Sequence, residues 1–281
     1  MDKSTENKFQ IKNLITPLFF LLFLLFIITF KNLAIFFLIH MAHPPILLFD
    51  FDGCVITQKS LEYAALVHLK KNFYNWRNTE SLRLIDIARL FEESDSKNKI
   101  KAVINVYRVF KNYIPSRWKR ILFFIRFRRL YPKYEIYETL KPKLREILTD
   151  LQKCGVKFGI VSNTSGDRLT RFRNRLNLDE YFSVYISRDN TPVRKPHGHP
   201  IIIALQQLKK EVGTPIEKNN VYLIGDLPTD IECAHNAGVK SIALLSGHGT
   251  KLSLEKANPT IILRDIEDIL EIDPFKKLLL E

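Results

Sequence analysis

The chain has 281 residues, 46% of them apolar and 26% charged, with 10 glycines and 13 prolines. That composition excludes a wholly disordered or fibrous protein, and the length allows one large domain or two smaller ones. A formal net charge of +13 favours anionic partners such as phosphorylated metabolites, nucleic acid or lipid head groups. Three scattered cysteines, Cys54, Cys154 and Cys233, are too few for a disulfide framework or a zinc site and read as free thiols in a reducing compartment.

Leu14 to Phe30 is apolar apart from Thr16, Pro17 and Thr29, and Leu33 to Ile39 continues the run after Lys31 and Asn32. Residues 14–39 meet the length of a membrane-spanning helix, about 20 residues, and no small-residue cleavage site follows to mark a secretory signal. A second reading stands beside the anchor. Met41 lies nine residues before Asp50, and residues 1–40 are rich in Phe, Leu, Ile, Lys and Asn, as translated AT-rich upstream sequence would be. Either residues 1–40 tether a cytoplasmic catalytic domain to a membrane, or translation starts at Met41.

After Met41 the pattern alternates strand and helix. Ile46 to Phe49 is a short apolar run ending in carboxylates, which predicts a fully buried strand. Residues 59–137 show helical periodicity and little strand signal. Lys141 to Cys154 reads as a helix with Leu144, Ile147, Leu148 and Leu151 on one face, stopped by Gly155. Val156 to Val161 is the next strand, and Ser165 can cap a helix carrying Leu169, Phe172 and Leu176. A strand over Tyr181–Ser187, a helix over Pro200–Val212 and a strand over Val221–Ile224 follow. A helix over Asp230–Asn236 ends at Gly238, and strands are expected over Val239–Leu245 and Ile261–Leu263. This order predicts an α/β fold, a Rossmann-like parallel sheet with helices on both faces, whose ligands bind at the carboxyl ends of the strands.

Four short segments follow predicted strands. Asp50-Phe-Asp52-Gly53 offers two carboxylates and a glycine that lets the backbone turn sharply. Ser162-Asn163-Thr164 offers a hydroxyl and backbone N–H groups to an anion. Lys195 lies in Arg194-Lys195-Pro196, and Asp226 and Asp230 lie in Gly225-Asp-Leu-Pro-Thr-Asp230. Taken singly, each is as readily a turn, a helix cap or a surface lysine. Together they put four carboxylates at one sheet edge, where a divalent cation is the natural neutraliser, and oxygen ligands of this kind suit magnesium.

The combination resembles the haloacid-dehalogenase superfamily, subfamily I, phosphoglycolate-phosphatase-like, over residues 45–58 and about 138–270. Leu47-Leu-Phe-Asp50-Phe-Asp52-Gly53, Val161-Ser-Asn-Thr164, Lys195-Pro196 and Ile224-Gly-Asp226-Leu-Pro-Thr-Asp230-Ile231 carry it, with Gly247-His-Gly249 beyond. The resemblance implies a phosphatase in which Asp50 is the nucleophile forming an aspartyl-phosphate and Asp52 the general acid/base. It implies magnesium held by the Asp50 carboxylate, the Asp52 backbone carbonyl and Asp226, phosphoryl oxygens bound by Ser162 and Asn163, and charge offset by Lys195. Asp230 would support the metal or Lys195 from behind. Family members that break carbon–halogen bonds lack an acid at the position of Asp52, so phosphoryl transfer is favoured. Two features depart from the pattern. Cys54 stands where a β-branched residue is usual, and His197-Gly-His199-Pro200 is a longer turn than usual, with His197 and His199 either solvated or near substrate.

The resemblance also places an inserted α-helical cap at 59–137, between core segments 41–58 and 138–281. Residues 59–135 hold 18 Lys and Arg against 7 Asp and Glu, densest from Arg117 to Arg129. This is either a solvated basic helix face or a surface for a polyanionic substrate or anionic lipid. No nucleic-acid-binding motif is present, so the expected partner is a small phosphorylated substrate. Two alternatives remain: a phosphomutase that passes phosphate from Asp50 to a second hydroxyl, and a basic, membrane-tethered binding protein without catalysis. Because the first core strand starts after Pro45, residues 41–281 expressed alone are expected to fold and to be active. An insoluble or inactive product would show that the first forty residues belong to the fold.

Overall fold

In a computed structural model of the chain, residues 45–57, 111, 114, 116–213 and 215–280 are described. The expected anchor at 14–39 and most of the expected cap lie outside the described residues. Among the described residues no helix is long and apolar enough to cross a membrane.

Six strands form one sheet: β1 (Ile46–Phe49), β2 (Lys157–Val161), β3 (Phe182–Ile186), β4 (Val221–Gly225), β5 (Lys240–Leu244) and β6 (Ile261–Leu263). Their order is β3-β2-β1-β4-β5-β6, and every pairing is parallel. The helices are α1 (Arg117–Tyr134), α2 (Leu144–Lys153), α3 (Gly166–Leu176), α4 (His199–Val212), α5 (Pro228–Ala237), α6 (Lys251–Lys256) and α7 (Phe275–Leu280). A 3-10 turn, Glu135–Tyr137, follows α1. The predicted α/β architecture is the one observed.

Strand alternation builds two cores, one on each face of the sheet. Leu47 and Phe49 of β1, Phe158 and Ile160 of β2, and Tyr222 and Ile224 of β4 pack with Leu144, Ile147, Leu148 and Leu151 of α2 and with Leu169 and Phe172 of α3. Ile46, Leu48, Val161, Val221 and Leu223 face the other way, onto Ile201, Ala204, Leu205 and Leu208 of α4 and Cys233, Ala234 and Ala237 of α5. Burial on both faces explains why these strands read as unbroken apolar runs.

Element ends moved where backbone constraints intervene. α2 starts at Leu144 rather than at Lys141 because Lys143 takes a left-handed φ of 56°. α5 starts two residues earlier than expected, with Pro228 in its first turn, a position that proline's fixed φ suits. The Ser165 cap forms as predicted, its side chain accepting from the N–H of Arg168. Thr250 caps α6, a helix that the sequence did not announce, and α7 docks Phe275 edge-on to Tyr222, 5.2 Å between ring centres.

Register fixes the site. Phe49 lies opposite Ile160 of β2 and Ile224 of β4, and the N–H of Asp50 donates to the Ile224 carbonyl at 2.8 Å. Asp50, Ser162 and Asp226 therefore leave neighbouring strands at one edge. Strand order reverses at β1, which opens a crevice there. Phe49 anchors this edge from below, fully buried and edge-on to Phe158 (6.3 Å) and Phe182 (5.6 Å). Phe49→Ala should cost about 3–5 kcal/mol through the cavity it leaves, measurable as a lower urea midpoint. A loss under about 1 kcal/mol would mean that the aromatic cluster is not the anchor.

Candidate active site

Asp50 is the first residue beyond β1 and is buried. The Lys195 ammonium, itself buried, donates to Asp50 Oδ1 at 2.5 Å and to Asp230 Oδ1 at 2.5 Å. The other oxygen of Asp230, Oδ2, accepts from the N–H groups of Asp226 (3.2 Å) and Leu227 (3.0 Å), capping the start of α5. Asp226 Oδ2 accepts from the N–H of His248 at 2.7 Å and pairs with its Nδ1 at 2.6 Å, while the Cys54 thiol approaches Oδ1 at 3.8 Å.

The approach is so close that side chains are excluded. Gly53 has φ +82°, and a Cβ there would strike the Asp226 carboxylate and come within 2.8 Å of His248 Nδ1. Glycine is required there by both backbone and space.

Charge is out of balance in this pocket. Burial, with the Asp230 and Asp226 charges adding to it, pushes the Asp50 carboxyl up to about 7 although Lys195 pulls it down. Burial also raises Asp230 against the pull of Lys195. For Lys195 burial works downward, but the Asp230 and Asp50 carboxylates outweigh it and hold the ammonium well above its ordinary value. Asp226 ends below its ordinary value because the His248 bonds overcome burial, and the same contact raises His248 against burial. Asp50, Asp226 and Cys54 bring ligand atoms within 4.8 Å of one another. Burial raises the Cys54 thiol well above its ordinary value, which keeps it protonated and a poor partner for a hard cation. Two carboxylates converging beside a third, with Asp50 half-starved of countercharge, fit a divalent cation.

Ser162 is buried at the end of β2, its Oγ accepting from the Thr164 N–H at 3.3 Å. The Asn163 amide bonds the Lys195 backbone in both directions, to its carbonyl (3.3 Å) and from its N–H (3.1 Å), so it also positions the lysine. Asp52 stands apart from the carboxylate cluster: Arg168 Nη1 donates to both its oxygens at 2.7 Å. His199 Nδ1 meets Thr191 Oγ1 at 3.3 Å, and the His197 carbonyl accepts from the Cys233 thiol. Cys54, Cys154 and Cys233 are all free.

The structure brings Asp50, Lys195, Asp226 and Asp230 together, and adds Arg168, His248 and Lys141, to which the sequence assigned no role. Lys141 is buried, bonds Ser246 Oγ at 2.5 Å and helps hold Asp226 down. The available signals were weak: a Gly-His-Gly triplet, and arginines at 168, 171 and 175 with helical spacing.

A profile of the family described as haloacid dehalogenase-like hydrolase matches residues 47–244. The pyrophosphatase PpaX of Bacillus mycoides is 26% identical over 230 residues, 80% of this chain and 94% of that protein. The phosphoglycolate phosphatase of Escherichia coli is 28% identical over 148 residues, 51% of this chain and 56% of that protein. A crystal structure of a predicted phosphoglycolate phosphatase from Haemophilus somnus superposes with a TM-score of 0.59 at 21% identity, covering 82% of this chain and 98% of the other. At that identity the likeness concerns the fold alone.

The raised Asp50 carboxyl sets a pH dependence. Its contribution to stability is present below the unfolded value near 3.8 and is lost as pH rises towards about 7. In chelator-treated protein, Asp50→Asn should therefore gain in melting temperature relative to the original chain between pH 4 and pH 8. A constant difference across that range would contradict the electrostatic account.

Proposed function

This chain belongs to the haloacid dehalogenase-like hydrolase family and is a phosphatase, and we propose that it hydrolyses the phosphate monoester of a small metabolite through an aspartyl-phosphate on Asp50, with magnesium. The observation that carries the reading is the buried Asp50–Lys195–Asp230 bridge, with Asp226 beside it at the ends of β1 and β4.

Asp50 attacks phosphorus, forming an O–P bond as the bond to the leaving oxygen breaks. Asp52 gives its proton to that oxygen. Asp52 then takes a proton from water, whose oxygen attacks the phosphorus and releases the Asp50 carboxylate with inorganic phosphate. Lys195 favours the ionised form of Asp50 and aims it by its short bond, and Asp230 holds the lysine. Ser162 Oγ and the backbone N–H groups beyond β2 bind phosphoryl oxygens, while Asn163 secures the lysine backbone and can share that task. Asp50, Asp226 and the Asp52 backbone carbonyl would hold the ion, which supplies charge neutralisation for the nucleophile and the phosphoryl group.

The substrate is read as small and strongly anionic. Relatives named pyrophosphatase and phosphoglycolate phosphatase support this, as does the net charge of +13. Residues 59–137 serve as the cap that covers the site and selects that substrate, and the catalytic domain works in the cytoplasm, with residues 14–39 able to tether it if they are translated. Release of one inorganic phosphate per substrate consumed would separate hydrolysis from phosphomutase chemistry.

Asp50→Asn preserves shape but removes the nucleophile and should slow turnover by at least about 10³-fold, roughly 4 kcal/mol in barrier. Chelation should abolish activity and added magnesium restore it. Near-normal turnover by Asp50→Asn in a phosphate-release assay would refute the assignment.

A further inference from the structure

The face of α3 carries Arg168, Arg171 and Arg175, spaced so that they stack along one side of the helix. All three reach the stretch Glu135–Glu138, where the chain returns to the core after α1. Arg168 Nε donates to Glu135 Oε1 at 2.9 Å and Arg171 Nη2 to Glu135 Oε2 at 2.9 Å. Arg175 donates to the backbone carbonyls of Glu135 (3.0 Å), Ile136 (3.2 Å) and Glu138 (2.8 Å). Arg168 does something more. Its Nη1 bonds both oxygens of Asp52 and also Thr164 Oγ1 at 3.1 Å.

Asp52, Arg168 and Glu135 thus form one ion chain, with Arg168 and Glu135 buried. The guanidinium lies over the Phe172 ring (4.9 Å) and the Phe51 ring (5.7 Å), so it is held from its flat side as well as from its edges. The outgoing and returning chain run side by side beneath it: the Thr57 N–H donates to the Thr139 carbonyl at 2.9 Å, and the Lys141 N–H to the Val55 carbonyl at 3.0 Å. A buried guanidinium shared by two carboxylates and packed on aromatic rings has little freedom. Whatever orientation it takes is imposed on Asp52.

We propose that Arg168 is a positioning residue for Asp52, fixed in turn by Glu135, so that the place where the 58–134 segment rejoins the core governs the group that handles the leaving-group proton. The inference rests on the reading of Asp52 as general acid/base. It accounts for a buried arginine and a buried glutamate that the chemistry does not otherwise use.

The test compares an alkyl phosphate, whose leaving oxygen needs a proton, with p-nitrophenyl phosphate, whose leaving group barely does. Asp52→Asn is the reference. Arg168→Met should lower kcat/KM at least about tenfold on the alkyl ester and less than about threefold on the nitrophenyl ester. Combined with Asp52→Asn it should add less than about twofold, because both act through one group. Arg168→Lys should recover part of the loss, and Glu135→Gln should show the same split at smaller size. Equal losses on both esters, a gain in activity, or multiplying losses in the double variant would overturn the role of Arg168. If Arg168→Met does not fold by circular dichroism, Glu135→Gln decides on the same criterion. If Asp52→Asn itself shows no split, the acid assignment falls and this inference falls with it. A split for Asp52→Asn without one for Arg168→Met removes the inference alone.

Discussion

One buried lysine between two carboxylates organises this protein. Lys195 bridges Asp50 and Asp230 at 2.5 Å each, and a third carboxylate, Asp226, lies fully buried alongside. Taking so many charges out of water costs several kcal/mol per ion unless each is matched. The surrounding structure reads as a set of responses to that cost. Backbone N–H groups of Asp226 and Leu227 serve Asp230, and His248 serves Asp226 through both backbone and ring. Gly247 has no room for a side chain because Asp226 occupies the space a Cβ would take. What remains unmatched falls on Asp50, which is the group that a phosphoryl-transfer nucleophile and a cation would both require.

The sheet supplies the coordinates for this arrangement. Parallel pairing puts the ends of β1, β2 and β4 level, so that carboxylate, hydroxyl and carboxylate emerge together. Both faces of those strands are sealed by α2 and α3 on one side and α4 and α5 on the other, which supports the site from beneath.

The arginine face of α3 adds a further link. Arg168 reaches from a helix both to Asp52 and to the returning chain at Glu135. That link joins Asp52 to the returning chain without touching the Asp50–Lys195–Asp230 bridge.

The sequence by itself determined the strands and the helices α2 to α5 that cover them, and it singled out Asp50, Asp52, Ser162, Asn163, Lys195, Asp226 and Asp230 as candidates. Short apolar runs ending in carboxylates are local signals, set by burial on both faces of a parallel sheet and by turn chemistry within a few residues. It also set Ser165 as a cap, since that bond spans three residues. Only the tertiary structure decided that Asn163 would grip the Lys195 backbone, that Asp52 would turn to Arg168 and that His248 would hold Asp226. Those pairs are 32, 116 and 22 residues apart, and no pattern along the chain tells a polar side chain which distant partner will stand beside it. Partner choice among buried charges is made by the packing that brings them together, because each must find countercharge within a few ångströms or not be buried at all.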